Sequence, residues 1–145
     1  MRALLQRVSS ASVTVDEEIV GSIGSGLCVL VGATHDDDES AATRLADKTW
    51  NLRIMADGDG VMNLSVADTT RQVLVISQFT LYGDARKGRR PSWIDAARPE
   101  EAEPLVETYI DRLEELGAVV ATGRFGADLA VELVNDGPVT LLLET

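Results

Sequence analysis

Two short apolar stretches constrain this chain most: Leu27–Val31, and Val73–Ile76 within the QVLVIS segment over 72–77. Neither approaches the roughly 18 apolar residues that a membrane span needs. Both are bounded by turn or polar residues, and Val and Ile dominate them. Such runs read as buried strands at the centre of a sheet. Weaker strand signals surround them. Ala3–Val15 reads as one long strand or two short ones, followed by a turn over 16–18 and a strand over Ile19–Ile23. Gly24-Ser25-Gly26 is a second turn. Met62–Val66 and Val119–Thr122 are further short strands. Leu129, Val131 and Leu133 alternate as on a half-buried strand, Asn135-Asp136-Gly137-Pro138 reads as a turn, and Val139–Leu143 as a last strand.

Two segments instead carry a helical period. Asp36–Glu39 opens the first, since acidic groups suit the positive end of a helix. Ala42, Leu45, Ala46, Thr49, Trp50 and Arg53 then share one face. Pro99 and Glu100 open the second, with Leu105, Val106, Tyr109, Ile110, Leu113 and Leu116 at helical spacing and Gly117 as its stop. Asp57-Gly58-Asp59-Gly60 reads as a hairpin turn, and Val61 and Met62 follow where a calcium loop would need another ligand. The expected architecture is α/β (α+β): one domain over residues 1–145, with two main helices and about seven mostly antiparallel strands.

The chain has 145 residues, 45% of them hydrophobic, so it can build a core without a metal or disulfide staple. Cys28, the only cysteine, excludes an internal disulfide and reads as a small buried hydrophobe. No cysteine cluster points to structural zinc. Gln6 and Arg7 interrupt the apolar stretch after Arg2, so no signal peptide is expected, and the expected compartment is the cytoplasm.

The net charge of −11 makes the chain a poor general ligand for nucleic acid. One segment runs against that balance. Residues 86–98 hold five basic side chains against the single acid Asp95. Arg86, Lys87, Arg89 and Arg90, with Trp93 as a stacking surface, suit a phosphate-rich ligand; a solvated loop pairing with the acidic body fits equally well. Ser77-Gln78-Phe79-Thr80-Leu81 is the other unusual stretch. A buried strand there turns polar without Gly, Pro or Asn, which fits either a ligand site or a capped strand end. His35 is the only histidine and reads as a surface loop residue. The acidic run over 36–39 reads as a solvated helix start rather than a cation site. A Gly-Pro pair such as Gly137-Pro138 marks a turn, but the dipeptide does not reveal whether its bond is cis.

Ser77–Leu81, taken with Asn135-Asp136-Gly137-Pro138-Val139-Thr140, resembles the paired signature of the D-aminoacyl-tRNA deacylase family. The resemblance continues through Gln6-Arg7-Val8, Ala11–Val15, Met62-Asn63-Leu64, Arg90-Pro91-Ser92 and Thr122–Phe125, and so covers essentially the whole chain. It implies sheets in barrel-like layers and a homodimer with two cross-subunit active sites. It implies hydrolysis of the ester linking a D-amino acid, or mischarged glycine, to the 3′ end of tRNA. Ser77, Gln78, Phe79 and Thr80 would form the catalytic segment. A cis Gly137-Pro138 bond, braced by Arg7 and flanked by Asn135, Val139 and Thr140, would form the chirality filter, facing Ser77–Thr80 of the other subunit. Arg86, Lys87, Arg89 and Arg90 would meet tRNA phosphates. No cofactor, metal or membrane is implied. For the chemical step, attack by the Thr80 hydroxyl competes with attack by water, the latter assisted by the ribose hydroxyl and by Phe79 and Thr80 amides. The missing nearby base favours water. Two further readings are a non-catalytic dimeric binder of tRNA 3′ ends or D-amino acids, which is of another class, and a Ser/Thr esterase using His35. The latter requires His35 within hydrogen-bond reach of Thr80 or Ser77.

Overall fold

The computed structural model describes residues 1–145. Its elements are β1 (Arg2–Val15), β2 (Glu18–Ile23), β3 (Gly26–Gly32), α1 (Glu39–Asn51), β4 (Met55–Ala56), β5 (Met62–Leu64), β6 (Gln72–Ser77), α2 (Pro99–Glu115), β7 (Val120–Thr122) and β8 (Ala130–Glu144). One-turn 3-10 helices occupy Val66–Asp68 and Phe79–Tyr82. The main sheet runs β2-β1-β3-β6-β7, and β8 also pairs with β1. The half around β1 is antiparallel, whereas β3-β6 and β6-β7 are parallel. β4 and β5 form a separate hairpin.

The two apolar runs are the adjacent strands β3 and β6, and both of their faces are covered. Leu27, Val29, Val31, Val73 and Val75 meet the helices in the larger core; Cys28, Leu74 and Ile76 belong to the smaller core on the other face. A strand covered on both sides has no solvent face, which is why these stretches show no polar alternation. β1 serves both cores. Ala3 and Leu5 pack with the larger one and Val8 with the smaller. An irregularity in pairing with β8 between Val8 and Ser10 shifts the phase, so Ala11 and Val13 stay with Val8.

The helices begin as their sequences direct. The Asp38 carboxylate accepts the Ala41 amide at 2.8 Å and caps α1, and the Glu101 carboxylate accepts the Arg98 amide at 3.3 Å at the start of α2. Asp37 does something different, accepting the Met1 ammonium at 2.5 Å and the Thr34 amide at 2.7 Å. The acidic run is therefore partly a structural clasp, not simply a solvated helix start. Between the helices, the buried Tyr109 hydroxyl donates to Thr49 Oγ1 at 2.9 Å, and Arg112 donates to Asp47 at 2.8 Å.

Two details differ from the sequence expectations. The strand expected over Met62–Val66 ends at Leu64, because Ser65 and Asp68 close a 3-10 turn through hydrogen bonds to the Ser65 amide and hydroxyl. Asn135–Pro138 does not divide two strands. β8 is one strand, and the register passes from Gln6↔Thr140 to Val8↔Asn135. Residues 136–139 thus bulge outward opposite Arg7. A bulge and a turn share the same Asn, Asp, Gly and Pro chemistry, so the residues alone do not separate them.

Candidate active site

β6 ends at Ser77, level with Val31 of β3. Gln78 still donates its amide to the Val31 carbonyl at 2.7 Å, and the chain then winds into the 3-10 turn at Phe79–Tyr82. Leu81 donates to the Gln78 carbonyl at 3.3 Å and Gly83 to the Thr80 carbonyl at 2.9 Å. The Phe79 and Thr80 amides precede the first of these bonds and have no partner within the turn. The Thr80 hydroxyl accepts from the Gln78 side-chain amide. Ser77, Gln78 and Phe79 line a cleft of about 560 Å³, whose other walls include Trp93, Pro99, Val106, Arg124, Phe125 and Leu129. Most of that lining is apolar. Phe79 and Trp93 meet edge to face, with ring centroids 5.5 Å apart.

Sequence reasoning does not single out the stretch Arg124–Leu129 on this cleft as site material. Its signal is weak: a short polar loop with Gly126 beside an aromatic residue, between two strands. His35 lies elsewhere in its contacts. Its Nε2 is 2.8 Å from the Ile94 carbonyl and its Nδ1 is 3.7 Å from Glu101. It makes no hydrogen bond to Ser77 or Thr80, so the condition for a His35-dependent esterase is not met.

The second signature lies on β8. The Gly137-Pro138 bond is cis, and Gly137 has φ +125°. A Cβ at Gly137 would stand 2.9 Å from Arg7 Nη2 and 2.9 Å from Val139 Cγ2. Arg7 Nε donates to the Asp136 carbonyl at 3.1 Å, and its Nη1 donates to the Ile54 carbonyl at 2.8 Å. Asn135 closes the base of the bulge: its Oδ1 accepts the Val139 amide at 3.0 Å, and its Nδ2 donates to Thr140 Oγ1 at 3.1 Å. The bulge is thus held by an arginine on one side and an asparagine beneath.

Within one chain the two signatures are apart. Ser77 is level with Ala3 of β1, the bulge is level with Arg7, and three strand spacings separate β6 from β8. At ordinary strand dimensions that is roughly 20 Å.

The basic segment is a small hairpin, closed by paired backbone bonds of 2.8 Å between Asp84 and Ser92. Arg86 is engaged at its neck, donating Nε and Nη2 to the Asp84 carboxylate at 2.9 and 2.8 Å. Those bonds, with the Arg86 amide, hold the Asp84 carboxyl down to about 2. Lys87, Arg89 and Arg90 are exposed and form no ion pair. Cys28, buried among aliphatics, has its thiol pushed up to about 11. No group of three or more acidic, histidine or cysteine side chains converges as a metal site, and no helix is long and apolar enough to cross a membrane.

Comparison with known proteins identifies the family. The family model for D-Tyr-tRNA(Tyr) deacylase matches residues 4–144. A D-aminoacyl-tRNA deacylase of Nocardia farcinica is 60% identical over 148 residues, covering 100% of both chains. Another from Streptomyces coelicolor is 58% identical and covers 99% of each. Among solved structures, the c-Myc DNA unwinding element binding protein aligns with a TM-score of 0.95 at 37% identity, covering 100% of this chain and 99% of that one. A probable eukaryotic D-amino acid tRNA deacylase aligns at 0.85 with 16% identity, a likeness of fold. A family match over nearly every residue, with full-length relatives at such identity, settles membership: the chain belongs to the D-Tyr-tRNA(Tyr) deacylase family and is an enzyme of the hydrolase class.

Proposed function

We propose that this protein is a homodimeric deacylase that hydrolyses D-aminoacyl-tRNA and mischarged glycyl-tRNA in the cytoplasm and rejects L-aminoacyl-tRNA. The observation that carries the cross-subunit part is the separation of the two signature segments. A site needing both cannot form within one chain when they lie roughly 20 Å apart. A second copy can supply the missing half. β8 pairs only with β1, leaves its other edge unpaired, and exposes Val134, Leu141 and Leu142. An apolar, unpaired edge strand is a surface that asks to be covered.

In this reading Ser77–Thr80 of one subunit faces the Gly137-Pro138 bulge of the other. The bulge's backbone carbonyls receive the substrate's α-ammonium group. The side chain of an L-amino acid would then point into the braced bulge and clash, whereas that of a D-amino acid points outward. Rejection by clash separates substrates that attraction alone separates poorly. Glycine has no side chain to reject and is accepted. Arg7 and Asn135 hold the bulge in place, as their hydrogen bonds allow. Val139 and Thr140 complete its base.

Phe79 and Thr80 amides stabilise the oxyanion as water attacks the ester carbonyl, with the free ribose hydroxyl of the tRNA assisting proton transfer. The carbonyl–ribose bond breaks, leaving a free amino acid and an intact 3′ end. An aminoacyl ester is already activated, so positioning and charge stabilisation suffice. Lys87, Arg89 and Arg90 meet tRNA phosphates, and Arg86 acts with them by stiffening the hairpin against Asp84. Only the 3′ end enters the site, so the acidic body does not oppose binding.

The test is release of labelled tyrosine from D-Tyr-tRNA and L-Tyr-tRNA at equal enzyme concentration with chelator present. Release from the D-ester alone is expected. Equal release from both would overturn the filter, and release from neither would overturn the hydrolytic reading.

A further inference from the structure

The 3-10 turn Phe79–Tyr82 is held on three sides. Beneath it lies Gly32 at the end of β3, where a Cβ would stand 2.8 Å from the Gln78 carbonyl and 3.4 Å from Leu81 Cβ. Trp93 covers its far end, where a Cβ on Gly83 would stand 2.4 Å from the indole Cζ3. These two contacts are packing. The third is polar and comes from the start of β1. Arg2 Nη1 donates to the Leu81 carbonyl at 2.9 Å, and its guanidinium carbon lies 4.5 Å from the Tyr82 ring centroid. Arg2 Nε is fixed in turn by Glu144 Oε1 at 2.5 Å.

The Leu81 carbonyl lies at the C-terminal end of this turn, where carbonyls lack partners and a cation is favourable. Arg2 supplies both the hydrogen bond and the charge, while its planar group stacks on Tyr82. The opposite end of the same turn presents the Phe79 and Thr80 amides. A one-turn helix has little rigidity of its own, because one or two hydrogen bonds define it. Its tilt depends on what grips its ends.

We propose that Arg2 is a positioning residue for the deacylation reaction: it sets the tilt of the Phe79–Tyr82 turn, and with it the direction of the Phe79 and Thr80 amides. The inference rests on the proposed role of those amides. Arg2 touches no substrate. Its removal lets the turn rock about the Gly32 and Trp93 contacts, so the amides lose their aim while the cleft that binds the 3′ end persists.

The experiment compares Arg2→Ala, Arg2→Lys and Glu144→Gln with the full-length wild-type protein on D-Tyr-tRNA, with kcat and KM measured separately. Arg2→Ala should lower kcat about 10- to 100-fold, the effect of sub-ångström misplacement at a reacting centre, and leave KM within about twofold. Arg2→Lys should recover most of kcat, because an ammonium can still bond the Leu81 carbonyl and sit over Tyr82. Glu144→Gln should stay within about threefold of wild type. Hydrogen exchange supplies a readout independent of activity: in Arg2→Ala, the segment 78–83 should exchange faster while α2 does not change. A wild-type kcat in Arg2→Ala overturns the inference. So does a rise in KM alone, an Arg2→Lys no better than Arg2→Ala, or faster exchange spread evenly over the chain. If wild-type protein releases nothing from D-Tyr-tRNA, the deacylase reading falls instead, and the exchange result still decides whether Arg2 holds the turn.

Discussion

Replacing Gly137 with alanine tests the bulge at its most constrained atom. Two independent features make a side chain costly there. The backbone has φ +125°, a region in which an L-residue costs on the order of 1–3 kcal/mol. The new Cβ would also press on Arg7 Nη2 and Val139 Cγ2, both at 2.9 Å, and on the Val139 amide nitrogen at 3.1 Å. Arg7 is the end of a flexible side chain, yet it is not free to leave. Its bonds to the Ile54 and Asp136 carbonyls tie it down, and its side chain is only 11% exposed. Giving up one hydrogen bond to a charged group costs about 1.5–3 kcal/mol. Together the loss is about 2.5–6 kcal/mol, a large share of the roughly 5–15 kcal/mol that stabilises a domain. For a chain of this size that corresponds to a melting temperature lower by roughly 10–20 °C. Thermal unfolding at fixed protein concentration measures it, and release from D- and L-Tyr-tRNA measures selectivity below the transition. The D-ester rate should fall and the ratio of D to L rates should narrow, because the displaced bulge no longer stands where the L side chain would clash. A variant within about 0.5 kcal/mol of wild type that keeps its full D-over-L ratio would refute both the steric argument and the filter.

Thr80→Ala should retain most activity, since the amides and not the hydroxyl carry the proposed chemistry; near-complete loss with an intact fold would restore Thr80 as nucleophile. Exchanging Lys87, Arg89 and Arg90 together for glutamine should flatten the salt dependence of tRNA binding by up to about two units of logarithmic slope, given about 0.7 per phosphate contact. An unchanged slope would mean that the hairpin does not meet phosphates. The Cys28 thiol is raised from 9.0 to about 11, so the fold binds this proton more tightly than the unfolded chain does. Its contribution is complete below pH 9 and disappears as pH rises toward 11, on the order of 2–3 kcal/mol. Cys28→Ala should therefore lose less stability than wild type between pH 9 and 11 in urea unfolding; parallel losses would refute the assignment.

Local chemistry determined most of the elements. The runs over 27–31 and 73–76 read as interior strands, since five and four apolar residues in a row leave no face for water. The period of α1 and α2, the Asp38 cap and the stop at Gly117 are likewise properties of neighbouring residues. The signature motifs were legible for the same reason: Ser77–Leu81 and Asn135–Thr140 are contiguous. What tertiary structure decided is where these pieces meet. Asn135–Pro138 carries the chemistry of a turn, and only continuous pairing of β8 with β1 makes it a bulge. Pairing energy depends on a partner strand more than 120 residues away, which no local pattern encodes. Arg86 and Lys87 are adjacent cations in sequence; the fold engages the first with Asp84 and leaves the second without an ion pair. Arg2 carries no signal among the first residues, yet pairing of β1 with β3 and β8 brings it to the Leu81 carbonyl and Glu144. Propensity and burial pattern act over a few residues and are written along the chain. Register, and the long side chains it brings together, come from cooperative packing of the whole molecule, and they exist only once it has folded.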